Sequence, residues 1–162
     1  MDLAWLFPWL LFLHVLGAIV AFGPTFAFSI VGAMGGAEPQ HANFATRITD
    51  AITSKRVLPI GFSLPITGLA MLAVVGINPL ERDRWWLALG IVLYLIAYGY
   101  GFFVQHPLVE RIVQMTSSPP PPGASGPPPE LMALIRRVQL GGIGMGLLIV
   151  TIVFLMVVKP KF

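Results

Sequence analysis

The chain has 162 residues, 56% hydrophobic and only 10% charged, with a net charge of +3 and a pI near 9.7. A soluble domain carries roughly 25% charged residues, and one this small leaves much of its surface in water, so the composition excludes an ordinary water-soluble fold. The absence of cysteine excludes disulfides, Cys-ligated zinc, iron–sulfur clusters and thiol catalysis, and the basic residues form no face interleaved with aromatics, so nucleic acid is not an expected partner.

The first apolar run covers residues 5–34, longer than the roughly 20 residues that cross a bilayer. It lacks the basic leader of a signal peptide and is read as a retained span. Pro8 falls in the first turn, where proline is tolerated, and Pro24 predicts a kink near Gly23. Gly35, Gly36 and Pro39 end this span. In the polar connection that follows, Phe44, Ile48 and Ile52 recur at four-residue spacing, which predicts a short amphipathic helix lying at the membrane interface.

The second span covers residues 57–77, with Pro59 in its first turn and Pro65 predicting another kink. A short charged turn through Glu81, Arg82, Asp83 and Arg84 leads to Trp85 and Trp86, an interfacial anchor. The third span, residues 85–105, continues as a polar helix through His106, Glu110, Arg111 and Gln114. The stretch 119–129 (PPPPGASGPPP) reads as an extended, polyproline-like linker. The fourth span covers residues 138–158, with Gly141, Gly142, Gly144 and Gly146 near its start, as suits close helix packing in lipid.

These spans make one membrane domain, residues 1–162, an all-α four-transmembrane-helix bundle of up-down topology in contact with the lipid bilayer. Six basic residues fall in the first and third connections and four in the second loop and the C-terminal tail, which predicts both termini outside a bacterial inner membrane.

Tyrosines aside, the only ionisable side chain in the middle of a span is His14, and an intramembrane ionisable residue is a functional hypothesis by default. His14 lies nine residues after Trp5, about 13 Å along a helix. Counting to the same depth on the other spans puts Thr67, Met71 and Tyr94 near its level. Two readings compete. A neutral His14 donates a hydrogen bond to Thr67, Tyr94 or a backbone carbonyl and holds helices together. Alternatively, it ligates haem iron, for which histidine and methionine are usual protein ligands. His106 lies 21 residues past Trp85, about 31 Å along its helix, and is too deep to share one haem with His14. His41 and His106 fall on the same side of the membrane, with Asp50 and Glu110 nearby in sequence, and could together bind a divalent metal, although the spacing matches no familiar site.

Several stretches resemble known membrane families. His14-Val15-Leu16-Gly17-Ala18-Ile19-Val20-Ala21-Phe22-Gly23 resembles the first-helix pattern of copper-resistance-D-type proteins and HemJ-type protoporphyrinogen oxidases. Leu64-Pro65-Ile66-Thr67-Gly68-Leu69 resembles the second-helix Thr-Gly signature of the same group. Gln105-His106-Pro107-Leu108-Val109-Glu110-Arg111 and the end, Phe154-Leu155-Met156-Val157-Val158-Lys159-Pro160, are similar to the predicted-integral-membrane family known as domain of unknown function 2269, a likeness that covers nearly the whole chain. The HemJ-type resemblance implies a four-helix fold and a haem-ligand role for His14. The chain departs from that pattern in having Ala21 and Phe22 where a Trp is common, and in lacking an intramembrane lysine in the third span. These departures set protoporphyrinogen oxidation aside and leave haem b as the expected cofactor, held by His14 with Tyr94, Thr67 or Met71 opposite it or supporting it. The alternatives are a non-catalytic subunit of a membrane complex or a homo-oligomer packed through the fourth helix and, last, a small transporter, for which too few charges line any path.

Overall fold

The computed structural model describes residues 3–118 and 126–160. Its framework is four long helices: α1 (Ala4–Ala37), α2 (Pro39–Val75), α3 (Trp85–Thr116) and α4 (Pro129–Val158). They run 34, 37, 32 and 30 residues, each apolar enough over an 18-residue window to cross a membrane. At 1.5 Å per residue they are about 45–55 Å long, longer than the roughly 30 Å hydrocarbon core. The apolar runs read from the sequence therefore sit inside longer helices. Most of the linker lies outside the described residues, which resume at Gly126.

Each irregularity within these helices falls next to a proline. Pro24 sits in a five-residue 3₁₀ segment, Gly23–Ala27, where the sequence predicts a kink. Pro59 and Pro107 each follow a five-residue π turn, Thr53–Val57 in α2 and Gly101–Gln105 in α3. In these turns the Leu58 and His106 N–H groups reach back five residues, to the Thr53 and Gly101 carbonyls. The cause is the missing proline N–H. The carbonyl four residues back has no donor and is crowded by the ring, so the turn widens by one residue and the helix carries on.

One sequence expectation is corrected by this continuity. Ala42–Ile52 is not a separate helix lying in the membrane plane; it runs through the π turn into Leu58–Val75. Its flanks are taken by Phe28–Ala37 of α1 and His106–Thr116 of α3. Ile48 and Ile52 are half-buried, whereas Phe44 is exposed. The second span also ends two residues earlier than predicted. Gly76 adopts the left-handed conformation (φ 69°), and the Leu72 carbonyl accepts both the Gly76 and Ile77 N–H groups. Glycine takes this backbone geometry without steric penalty.

Helices adjacent in sequence pack in pairs. Phe7–Phe22 lies along Leu58–Val75, and Trp85–Tyr100 lies along α4. Residues without a side chain mark the close approaches: Gly17 faces Leu64, Gly90 faces the Met156 methyl, and Gly101 faces the Met145 methyl. Lys159 Nζ stands 5.7 Å from the centre of the Trp86 ring, tying the end of α4 to the start of α3. At the other end of the molecule the helices project as a head with a small core of Ile112, Leu131 and Leu134. The Arg111–Glu130 ion pair (2.6 Å) lies over it. Helices α1 and α4 make at most marginal contact, so the bundle is open along that seam.

Candidate functional site

His14 projects from α1 toward α2, where its Nδ1 lies 2.8 Å from Thr67 Oγ1. The Thr67 hydroxyl is also 3.2 Å from the Ser63 carbonyl and 3.0 Å from the Leu64 carbonyl. A threonine hydroxyl has one proton and here three acceptors in reach, the two carbonyls and Nδ1. With that proton on a carbonyl, Thr67 Oγ1 accepts from Nδ1–H and Nε2 keeps its lone pair; with it on Nδ1, the ring proton sits on Nε2. The Leu64 backbone is a further hydrogen-bond partner of the imidazole, and Nε2 is not sealed from the outside. Gly68 makes room for the ring: a Cβ there would lie 3.4 Å from His14 Cε1. The Thr-Gly pair thus serves two purposes, Thr67 engaging Nδ1 and Gly68 leaving space for the ring.

Of the other residues placed at His14's depth, Tyr94 is engaged elsewhere. Its hydroxyl donates to the Gly61 carbonyl at 2.5 Å. Gly61 is the residue whose carbonyl would have bonded the N–H that Pro65 lacks, so Tyr94 satisfies a group that proline leaves bare in lipid. Tyr98 makes a similar bond to the Leu58 carbonyl at 3.1 Å, and the two tyrosine rings stack at 6.2 Å. Gly61 lies six residues from Thr67, about 9 Å along α2, which separates the Tyr94 hydroxyl from the imidazole. Met71 stands one turn beyond Thr67 on α2 and makes no polar contact with His14. Sequence reasoning did not single out Ser63, Leu64 or Gly61 as supports. The carbonyl freed at Gly61 is nonetheless legible in the sequence, since any interior proline frees the acceptor four residues before it.

The head-side histidines do not converge. His41 is exposed and pairs with Glu38 at 3.8 Å. His106 Nε2 lies 3.5 Å from Asp50 Oδ1 across the α2–α3 interface and 3.9 Å from Glu110 Oε1. His41 and Asp50 are nine residues apart on one helix, about 13 Å, which keeps the two imidazoles in separate neighbourhoods. Among the described residues no group of three or more His, Asp or Glu side chains is arranged to hold a metal ion. Next to this pair, the Gln105 Nε2 group donates to the Val138 carbonyl at 2.8 Å, while its Oε1 is shielded and makes no hydrogen bond.

The model of the family described as predicted integral membrane protein (DUF2269) matches residues 8–160. The chain belongs to this family. No curated protein and no solved structure matches it. Membership agrees with the four apolar helices and with an integral membrane protein in contact with lipid.

Proposed function

We propose that the chain binds haem b, or a related redox cofactor, through His14 Nε2. The observation that carries this reading is the 2.8 Å contact of Thr67 Oγ1 with His14 Nδ1: in this reading the hydroxyl gives its proton to the Ser63 or Leu64 carbonyl, accepts from Nδ1–H and leaves Nε2 for the metal. Histidines that ligate metals characteristically donate their other ring N–H to a fixed acceptor, which sets ring orientation and raises basicity. Thr67 is the orienting group and Gly68 the clearance. Tyr94 is assigned no ligand role because its hydroxyl is given to Gly61. Haem would supply one-electron redox chemistry; the protein holds the ligand ring in one tautomer in a site that lipid keeps poor in water.

The test is the visible spectrum of detergent-purified protein expressed with ample haem. A Soret band that disappears in His14→Ala is the expected outcome, and a colourless wild-type preparation refutes the reading. On the positive-inside rule the cytoplasmic end is the head, where Arg47, Lys55, Arg56, Arg111, Arg136 and Arg137 gather, placing both termini outside a bacterial inner membrane.

A second reading, self-association through α4, draws on Gly144 and Gly146, where an added Cβ would meet nothing within 4 Å. Crosslinking that is lost in Gly142→Leu/Gly146→Leu would favour it, and a strictly monomeric particle would remove it.

A further inference from the structure

All four helices change character at one height. In α1 the change is the 3₁₀ segment Gly23–Ala27, in α2 the π turn Thr53–Val57, in α3 the π turn Gly101–Gln105, and in α4 the run of Gly141, Gly142, Gly144 and Gly146. Contacts between helices fix this register. Tyr98 on Leu58 and His106 beside Asp50 bracket the two π turns and set them opposite one another. Gly17 against Leu64 and Gly35 against Ala45 align α1 with α2; Thr25 lies eight residues beyond Gly17, and Arg56 eight before Leu64. Gly141 against the Tyr100 hydroxyl and Gly101 against Met145 place the glycine run of α4 beside the α3 π turn. Proline, glycine and a widened turn are the places where helices bend, because the regular hydrogen-bond ladder is interrupted or the backbone is least restricted there. Aligned in all four helices, they form a plane about which the head can move relative to the membrane-embedded part.

The head itself is made of two halves. Phe28–Ala37 of α1 packs on Ala42–Ile52 of α2, and His106–Thr116 of α3 packs on the start of α4 through Ile112, Leu131 and Leu134. The halves are joined across α2 and α3. Asn43 Nδ2 donates to the Val113 carbonyl (3.2 Å) and to Thr116 Oγ1 (3.0 Å) near the tip, and His106 Nε2 faces Asp50 Oδ1 at 3.5 Å just above the plane. Both of these last atoms are sealed from solvent, and neither has a hydrogen-bond partner among the described residues. The strength of such a contact depends on the charge of the imidazole. A neutral ring offers the carboxylate an N–H in one tautomer and a lone pair in the other, whereas the cation offers an N–H and a positive charge together. Glu110, 3.9 Å away on the same helix, favours the charged ring without bridging the halves. Phe28–Ala37 carries no charged side chain, and Arg47 of α2 and Arg136 and Arg137 of α4 are exposed.

We propose that the head is a proton-sensitive clamp. Its α1–α2 and α3–α4 halves part by bending at the shared plane, and a protonated His106 paired with Asp50 holds them closed. Acid closes the clamp. Loss of the imidazole proton releases it, and the Asn43 bonds at the tip are exchanged for bonds to water. The arm from Gln105 to Thr116 is about 16 Å long, so a bend of about 20° carries its tip by about 5–6 Å.

The natural chain has no cysteine, so nitroxides at Gln40→Cys and Ala133→Cys report the distance between halves, and at Gln114→Cys and Ala133→Cys the distance within one. All three positions are exposed. The full chain is reconstituted in phospholipid vesicles, and distances are measured by pulsed electron–electron resonance at about pH 5 and about pH 8, the interval over which histidine changes charge. The 40–133 distribution should be short and narrow at the lower pH and gain a component several ångströms longer at the higher, while 114–133 stays fixed. His106→Gln and Asp50→Asn should each show the longer component at both pH values; His14 and His41 remain in these variants. Pro59→Ala combined with Pro107→Ala returns an N–H to the residue after each π turn, and should suppress the longer component at the higher pH. Identical 40–133 distributions at the two pH values would overturn the proposal, as would a pH-driven shift that survives in His106→Gln or in Asp50→Asn. A matching shift in 114–133 would mean general loosening of the head and overturns it too. Opening undiminished in the double proline variant would overturn the assignment of the bend to this plane.

Discussion

In the proposed site His14 and Thr67 act as a unit: Thr67 Oγ1 lies 2.8 Å from Nδ1 and, with its own proton on a backbone carbonyl, accepts from the imidazole. This separates two substitutions with different outcomes. His14→Ala removes the proposed haem ligand, and the Soret band should be lost. Thr67→Val keeps the ligand but releases Nδ1–H, and loss of an outer hydrogen-bond partner costs roughly 10- to 100-fold in metal affinity. Haem titration of the detergent-solubilised variant should therefore show a band that forms at correspondingly higher haem concentration. Thr67→Ser, which retains the hydroxyl, should bind like the wild type. A Thr67→Val protein with unchanged affinity would show that the tautomer argument does not govern ligation.

At the scale of the helix, proline and tyrosine are coupled across α2 and α3. Tyr94→Phe leaves the Gly61 carbonyl without its hydroxyl donor while preserving the ring contacts with Phe22 and Tyr98. Inter-helical hydrogen bonds in membranes average about 0.6 kcal/mol with a maximum near 1.7. The expected loss is about 1 kcal/mol, read from unfolding in mixed micelles. In a Pro65→Ala background residue 65 regains its N–H, Gly61 gains an intrahelical donor, and the cost of Tyr94→Phe should shrink toward zero. Equal costs in the two backgrounds would dissociate the tyrosine from the proline. The α3–α4 contact has its own tight point: a Cβ on Gly141 would run into the Tyr100 hydroxyl and Gln105 Oε1. Gly141→Ala should destabilise by about 1–3 kcal/mol through overpacking. At Gly144 the same substitution meets open space and should be neutral or slightly stabilising in the same assay.

On the scale of the whole molecule, the two outer helices differ from the two inner ones. The fraction of the apolar window that is buried is 6% in α1 and 11% in α4, against 17% in α2 and 22% in α3, so α2 and α3 form the centre and lipid covers the rest. Helix α4 nevertheless holds to α3 along its length, through Leu131 and Leu134 against Ile112 in the head, Val138 on Gln105, Met156 over Gly90, and Lys159 over Trp86. A protease site inserted between residues 118 and 126 and cut in detergent should leave the two fragments co-eluting on gel filtration. Leu134→Asp, which places a charge in the head core, should weaken that association. Fragments that separate from the otherwise unaltered chain would show that the covalent link, rather than packing, keeps α4 in place.

The number of crossings, the all-helical class and the isolation of His14 were determined by the sequence alone. Lipid forces each spanning segment to satisfy its own backbone, so apolar length translates directly into a helix. Pro24 likewise marked where α1 departs from regular geometry, whereas the π turns ahead of Pro59 and Pro107 were not expected and Pro65, where a kink was predicted, lies within the α-helical segment Leu58–Val75. What the tertiary structure decided was contact across helices. Depth counting put Thr67, Met71 and Tyr94 near the imidazole, but a register along the membrane normal carries no information on the azimuth of a side chain or on competing acceptors. The structure gave Thr67 to His14 and Tyr94 to the Gly61 carbonyl. The amphipathic spacing of Phe44, Ile48 and Ile52 showed that a face existed, not what it met. Its partners came from α1 and α3, because a π turn let α2 run on where a break was expected.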